Sequence, residues 1–287
     1  MGKIQNDLDG YQQTGFFYTG SVLSSWLLWG IGAYLSYLPE STYTAWVSFF
    51  GAAGLCSPAI LSMVMVRRNA DLWKDFKRKC LSVPGSFGLA ECLALFLMPA
   101  SILLAQLLSL MGGYSVRQFY LAEHFSFTSG VFPVWAMLLV APLIEEFAWH
   151  SYGTDCLHRR YCLLKTSLLF ALFWGVWHIP LSFIKDYYQS NLVVTGWIYS
   201  ANFMLSLFPY VIIMNWIYYK TEKNIWLMVI FHSTAGLFNE LFQTHPDSKI
   251  IQTGLLCLLA IYLIRKEPEI FFGNKSGTND KLHKLEN

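Results

Sequence analysis

Residues 141–182 read APLIEEFAWHSYGTDCLHRRYCLLKTSLLFALFWGVWHIPLS, and this stretch decides what kind of protein the chain forms. It is two apolar runs joined by a short basic turn. The first run carries adjacent carboxylates, Glu145 and Glu146, with His150 one helical turn beyond Glu146. The second carries His178 and, two residues later, Pro180. An ionisable group inside a membrane-length apolar segment is expensive, so each such group marks a functional site unless the segment proves to be soluble.

The rest of the chain argues for lipid. Of 287 residues, 55% are hydrophobic, 17% aromatic and only 13% charged, where a soluble domain carries about 25% charge. A spanning helix needs about 20 apolar residues, and about eight segments meet that pattern. They run roughly Phe17 to Leu38, Tyr43 to Val66, Phe87 to Met111, Val131 to Cys156, Leu163 to Ile184, Val193 to Tyr219, Ile225 to Phe242, and Ile250 to Ile264. The expected fold is therefore an all-α integral membrane protein, a polytopic bundle of about eight transmembrane helices. Residues 1–16 form a polar N-terminus, 17–266 a single helical domain and 267–287 a polar tail.

The loops predict orientation. Arg67, Arg68, Lys74, Lys77, Arg78 and Lys79 follow the second segment, Arg159, Arg160 and Lys165 the fourth, and Lys220 and Lys223 the sixth. Lys3 precedes the first segment, and Arg265, Lys266, Lys275, Lys281 and Lys284 follow the last. Only Arg117, Lys185 and Lys249 fall on the opposite side. The positive-inside rule then makes this a multi-pass cell-membrane protein with both termini cytoplasmic. The basic stretch RRNADLWKDFKRKC reads as an ordinary cytoplasmic loop, with an amphipathic segment lying on anionic headgroups as the second option. Aromatic residues near predicted ends (Phe16, Phe17, Tyr18; Tyr187, Tyr188; Tyr218, Tyr219) read as interfacial anchors. A net charge of +2 gives no reason to expect a nucleic-acid partner. The six cysteines form no close pair and are expected as free thiols. MGKIQN lacks the hydroxyl residue of a myristoylation site, and the polar start lacks a cleavable signal.

Seven ionisable residues stand out inside the segments: Glu91, Glu145, Glu146, His150, His178, His232 and Glu240. At a rise of about 1.5 Å per residue, Glu146, His178 and His232 can all reach the middle of the bundle. Neighbouring helical residues point about 100° apart, so Glu145 and Glu146 cannot serve the same point equally. Glu146 and His150, at i and i+4, share a face and are expected to hydrogen-bond. Pro180 cannot donate to the carbonyl of Val176 and is expected to free that acceptor near His178.

EEFAWHSY, WGVWHIP and FHSTAGLFNE resemble the three motifs of the CPBP family, the CAAX-protease and bacteriocin-processing (Abi) intramembrane endopeptidases. Their pattern is EExxxR, FxxxH and HxxxN or HxxxD, and the resemblance covers residues 131–242. It implies a protease in which Glu146 activates water, Glu145 supports it, His178 shares in holding the water, and His232 stabilises the oxyanion. His150 stands at the Arg of the first motif and Trp174 at the Phe of the second; Gly236 takes the place of the last Asn or Asp. Asn239 is the nearest candidate to replace that side chain. Metal-free water activation is expected, with a divalent ion such as Zn²⁺ on Glu146, His178 and His232 as the alternative. The implied substrate is a peptide or small protein at the bilayer, in bacteriocin or pheromone processing or immunity. A catalytically inactive immunity or scaffold protein and a proton-coupled transporter are the competing functions.

Overall fold

In hydrocarbon a backbone can satisfy its own N–H and C=O groups only as helix or closed barrel, and the elements among the described residues are helices. The computed structural model describes residues 10–39, 43–82 and 87–273. The readings that rest on Lys3, the MGKIQN start, Lys275, Lys281 and Lys284 lie outside the described residues.

In chain order come α1 (Thr14–Ser36), α2 (Thr44–Arg67), α3 (Ala70–Leu81), α4 (Leu89–Leu110) and α5 (Val134–Ala148). A single π turn, Trp149–Gly153, continues α5 into α6 (Thr154–His158). Then follow α7 (Leu163–His178), α8 (Tyr188–Thr195), α9 (Trp197–Lys220), α10 (Ile225–Leu241), α11 (Pro246–Lys266) and α12 (Pro268–Phe272). The 44–67, 89–110, 163–183, 197–220 and 246–266 stretches are long and apolar enough to cross a membrane outright. α10 is a shorter apolar helix, and α1 and the α5–α6 rod occupy the remaining two of the eight segments read from the sequence.

Two boundaries move for local reasons. The sixth predicted segment begins at Trp197, because Gly196 breaks the chain at φ 153° and leaves α8 as a separate short helix. At the end of α7, residues 179–183 tighten into a 3-10 turn, and the Ile179 N–H donates to the Val176 carbonyl. The acceptor that Pro180 was expected to free is thus taken up locally.

α9 runs through the middle of the bundle, with Pro209 to Tyr218 buried without a break, as an all-round apolar helix must be. α1 and α2 pair closely because their facing residues are small. Ser25 Oγ donates to the Gly54 carbonyl at 2.8 Å, and Trp29 Nε1 to the Gly51 carbonyl at 2.9 Å. A Cβ on Gly54 would lie 2.3 Å from Trp29 Nε1. Gly54→Ala is therefore expected to destabilise by about 1–3 kcal/mol through overpacking, read as a lower thermal midpoint in detergent; an unchanged midpoint would contradict the close packing.

The basic segment after α2 is a helix rather than a plain loop, and one of its faces packs into the bundle. α3 turns Leu72, Asp75, Phe76 and Lys79 inward, and Lys79 is fully buried. Lys79 Nζ lies 2.7 Å from Asp155 Oδ2 and 3.0 Å from Asp75 Oδ2. Tyr219 Oη donates to Asp155 Oδ1 at 2.7 Å, and Lys223 Nζ sits 3.1 Å from the same oxygen. Burial raises the Asp75 carboxyl, but the Lys79 ammonium overrides it, so Asp75 titrates below the ordinary carboxylate range. A lowered folded-state pKa gives stability that is complete at neutral pH and lost as the pH falls below that range. Acid unfolding of wild type is expected to shift relative to Asp75→Asn, which lacks this contribution. Two predicted interfacial anchors also prove to be core: Phe17 and Tyr218 are fully buried. The six cysteines are free.

Candidate active site

The two glutamates sit where α5 meets the π turn, and their neighbours differ completely. Glu146 is fully buried. Its Oε1 meets His232 Nδ1 at 2.8 Å, and its Oε2 meets His150 Nδ1 in a very short hydrogen bond. Both oxygens are therefore taken by imidazoles. Glu145, 7% exposed, receives two indole N–H groups on one oxygen. Trp174 Nε1 donates to its Oε2 at 2.9 Å and Trp149 Nε1 at 3.2 Å. Among the described residues no hydrogen bond reaches Glu145 Oε1. The i, i+4 pairing of Glu146 with His150 is as expected, and the 100° offset separates the roles of the two carboxylates.

Hydrogen-bond bookkeeping fixes the imidazole protons. His178 Nδ1 is 2.7 Å from the Trp174 carbonyl, which only accepts, so Nδ1 carries the proton and Nε2 keeps a lone pair. Trp174 thus holds Glu145 with its indole and His178 with its backbone. Ser167 Oγ donates to the Leu163 carbonyl at 2.9 Å, so it accepts from Asn215 Nδ2, also at 2.9 Å. Asn215 Oδ1 is then left to accept from His150 Nε2 at 3.1 Å. His150 thus donates at Nε2 to Asn215 and meets Glu146 at Nδ1, in the position where the motif has Arg.

Asn215 and Ser167 carried a usable signal, as polar residues inside apolar segments, although neither is ionisable. The π turn carries another part of the site. Lys79 Nζ donates to the His150 carbonyl at 3.2 Å and the Ser151 carbonyl at 3.0 Å, and Tyr218 Oη donates to the former at 2.8 Å. The buried ionic knot therefore holds the backbone of His150 directly. π turns of this kind are concentrated at functional sites.

His178 and His232 flank Trp174, with ring centroids 5.7 and 5.1 Å from the indole. Asn239 lies elsewhere. Seven residues beyond His232, or about 10 Å along α10, it donates to Tyr188 Oη and Glu240 Oε1, both at 3.1 Å. Position 236 is backed by Leu138, whose Cδ2 would lie 3.4 Å from a Cβ there. Zinc does not fit the residues as they stand. Both Glu146 oxygens face imidazole nitrogens, and no cluster of three or more potential ligands occurs among the described residues.

Trp174→Phe keeps an aromatic ring but removes the indole donor to Glu145. Turnover is expected to fall about 10- to 100-fold with little change in thermal midpoint, measured on the purified protein; full activity would contradict a positioning role for the indole.

An all-α membrane bundle that buries two carboxylates among imidazoles and indoles has the makings of an intramembrane hydrolase. The chain matches the family model described as Type II CAAX prenyl endopeptidase Rce1-like over residues 127–238. It is also 37% identical over 258 residues to CAAX prenyl protease 2 of Methanococcus maripaludis, covering 89% of this chain and 94% of that protein. The chain belongs to the CAAX prenyl endopeptidase family, and is an intramembrane endopeptidase, a hydrolase of peptide bonds.

Proposed function

We propose that Glu145, rather than Glu146, activates the attacking water, and that the substrate is a lipid-anchored C-terminus of the CAAX type. The observation that carries the first part is the contrast between the two carboxylates. Glu146 has both oxygens engaged, whereas Glu145 keeps Oε1 uncommitted, and His178, held by the same Trp174 that holds Glu145, has its Nε2 lone pair unspent. This exchanges the roles that the family resemblance implied. Water held by Glu145 Oε1 and His178 Nε2 attacks the scissile carbonyl, and its proton passes to Glu145 and then to the leaving amine. His232, with its Nδ1–H on Glu146 and a second proton on Nε2, donates from Nε2 to the oxyanion as an imidazolium. His150 and Asn215 fix Glu146 and act at one remove.

The substrate class rests on the relative, which is named a CAAX prenyl protease; it supports that class over bacteriocin or pheromone maturation. The basic end of the bundle, with Arg67, Arg68, Lys74, Lys77, Arg159 and Arg160, is assigned to the cytoplasm by the positive-inside rule. Lys79 and Lys223 are neutralised in the knot and add little to that assignment. The test uses wild-type protein in liposomes and an internally quenched peptide ending in a prenylated Cys-aliphatic-aliphatic-X sequence. Cleavage is expected at least about tenfold faster than for the same peptide without its lipid, because the chain concentrates substrate in the bilayer. Equal turnover of an unlipidated apolar peptide would move the substrate to the peptide-maturation class.

A further inference from the structure

The loss of a side chain at position 236 leaves His232 as the single donor in the motif positions for the oxyanion, and a tetrahedral intermediate is ordinarily held by more than one. The search for a second donor leads to α9. Tyr210 is 7% exposed, and its hydroxyl is buried with no hydrogen-bond partner among the described residues. Buried hydroxyls are normally bonded, so an orphan in a native core calls for an explanation.

Its surroundings supply one. The ring stacks on Phe231, the residue before His232, at 4.8 Å between centroids, and stands 6.0 Å from Trp174 and 6.4 Å from His232. The phenol lies within electrostatic reach of Glu146 and Glu145. Neither carboxylate uses it: Glu146 is taken by the two histidines, and Glu145 Oε2 by the two indoles. It is an uncommitted donor on the wall of the site that also holds His232. Such donors are often unmade in the empty site and tighten only when the reacting group arrives.

We infer that Tyr210 donates its phenolic O–H to the oxyanion alongside His232, doing from α9 what no side chain at Gly236 can do from α10. The inference rests on the peptidase reading with Glu145 as base. Only a hydrogen bond forms and breaks in this step; the phenol keeps its proton when the intermediate collapses.

The experiment compares wild type, Tyr210→Phe and Glu145→Gln on the quenched prenylated peptide, with thermal midpoints in the same detergent. Tyr210→Phe is expected to lower kcat about 10- to 1,000-fold, with KM within about twofold because the contact forms only in the transition state. Its midpoint should stay level or rise, since the variant deletes an unpaired buried hydroxyl. Wild-type kcat in Tyr210→Phe, or a lower midpoint with raised KM, overturns the inference. If Glu145→Gln is inactive while Tyr210→Phe turns over normally, the role of Tyr210 alone fails. If Glu145→Gln remains active, the underlying reading has failed.

Discussion

Glu145→Gln is expected to cut turnover by about 10³-fold or more while leaving the thermal midpoint level or slightly higher. The amide keeps the shape and can still accept the Trp174 indole, but it cannot take a proton from water, and general-base contributions are worth about 10²–10⁴ in rate. Glu146→Gln should behave differently. It removes the acceptor charge from two imidazoles, each bound to one carboxylate oxygen. Breaking such a buried arrangement leaves charge or donors uncompensated, so activity and stability should fall together, the latter by about 2–4 kcal/mol. The two purified variants, assayed on one peptide and melted in one detergent, separate the base from the orienting group. A stable but inactive Glu146→Gln beside an active Glu145→Gln would reverse the roles.

Lys79→Met is the second large effect. Lys79 is the fully buried cation between Asp75 and Asp155, and its ammonium also reaches Tyr11 Oη at 2.7 Å. Its removal leaves two buried carboxylates, with Arg78 as the remaining cation on Asp75 and Lys223 as the remaining cation on Asp155. Breaking a buried pair by deleting one partner costs about 3–5 kcal/mol, which for a chain of this size corresponds to a fall in midpoint of roughly 10 °C. Activity should drop beyond what unfolding explains, since Lys79 also holds the His150 and Ser151 carbonyls. Lys79→Met combined with Asp155→Asn should recover part of the stability, because the second change removes one of the two buried charges that Lys79 neutralised. A Lys79→Met protein with wild-type midpoint would show that the knot holds nothing.

Much of this was legible in the chain, and the parts that were not share a physical cause. The helical bundle followed from run length and hydropathy alone, and Glu146 with His150 followed from i, i+4 spacing. The role of Glu146 as water activator came from the family resemblance, and the bond the spacing anticipated is one that occupies a Glu146 oxygen. Which face Glu145 presents depends on Trp149 and Trp174, whose indole N–H groups converge from two helices, and no local period encodes that. Asn215, Ser167 and Tyr210 are polar but not ionisable, so a reading of charges passes over them, though a polar group within a span carries the same signal in weaker form. Lys79 looked like one more basic loop residue. Its partner Asp155 lies far away in sequence, and only the folded chain reveals the pair as buried.

The central claim is direct attack by water activated at Glu145 on a membrane-presented peptide bond. It is tested most directly by single-turnover cleavage of the quenched prenylated peptide in heavy-oxygen water, followed by mass spectrometry of both product and protein. The account predicts one heavy oxygen in the new carboxylate of the product and none in Glu145. An uncut peptide, or heavy oxygen appearing on the Glu145 side chain as it would after a covalent acyl intermediate, would contradict it.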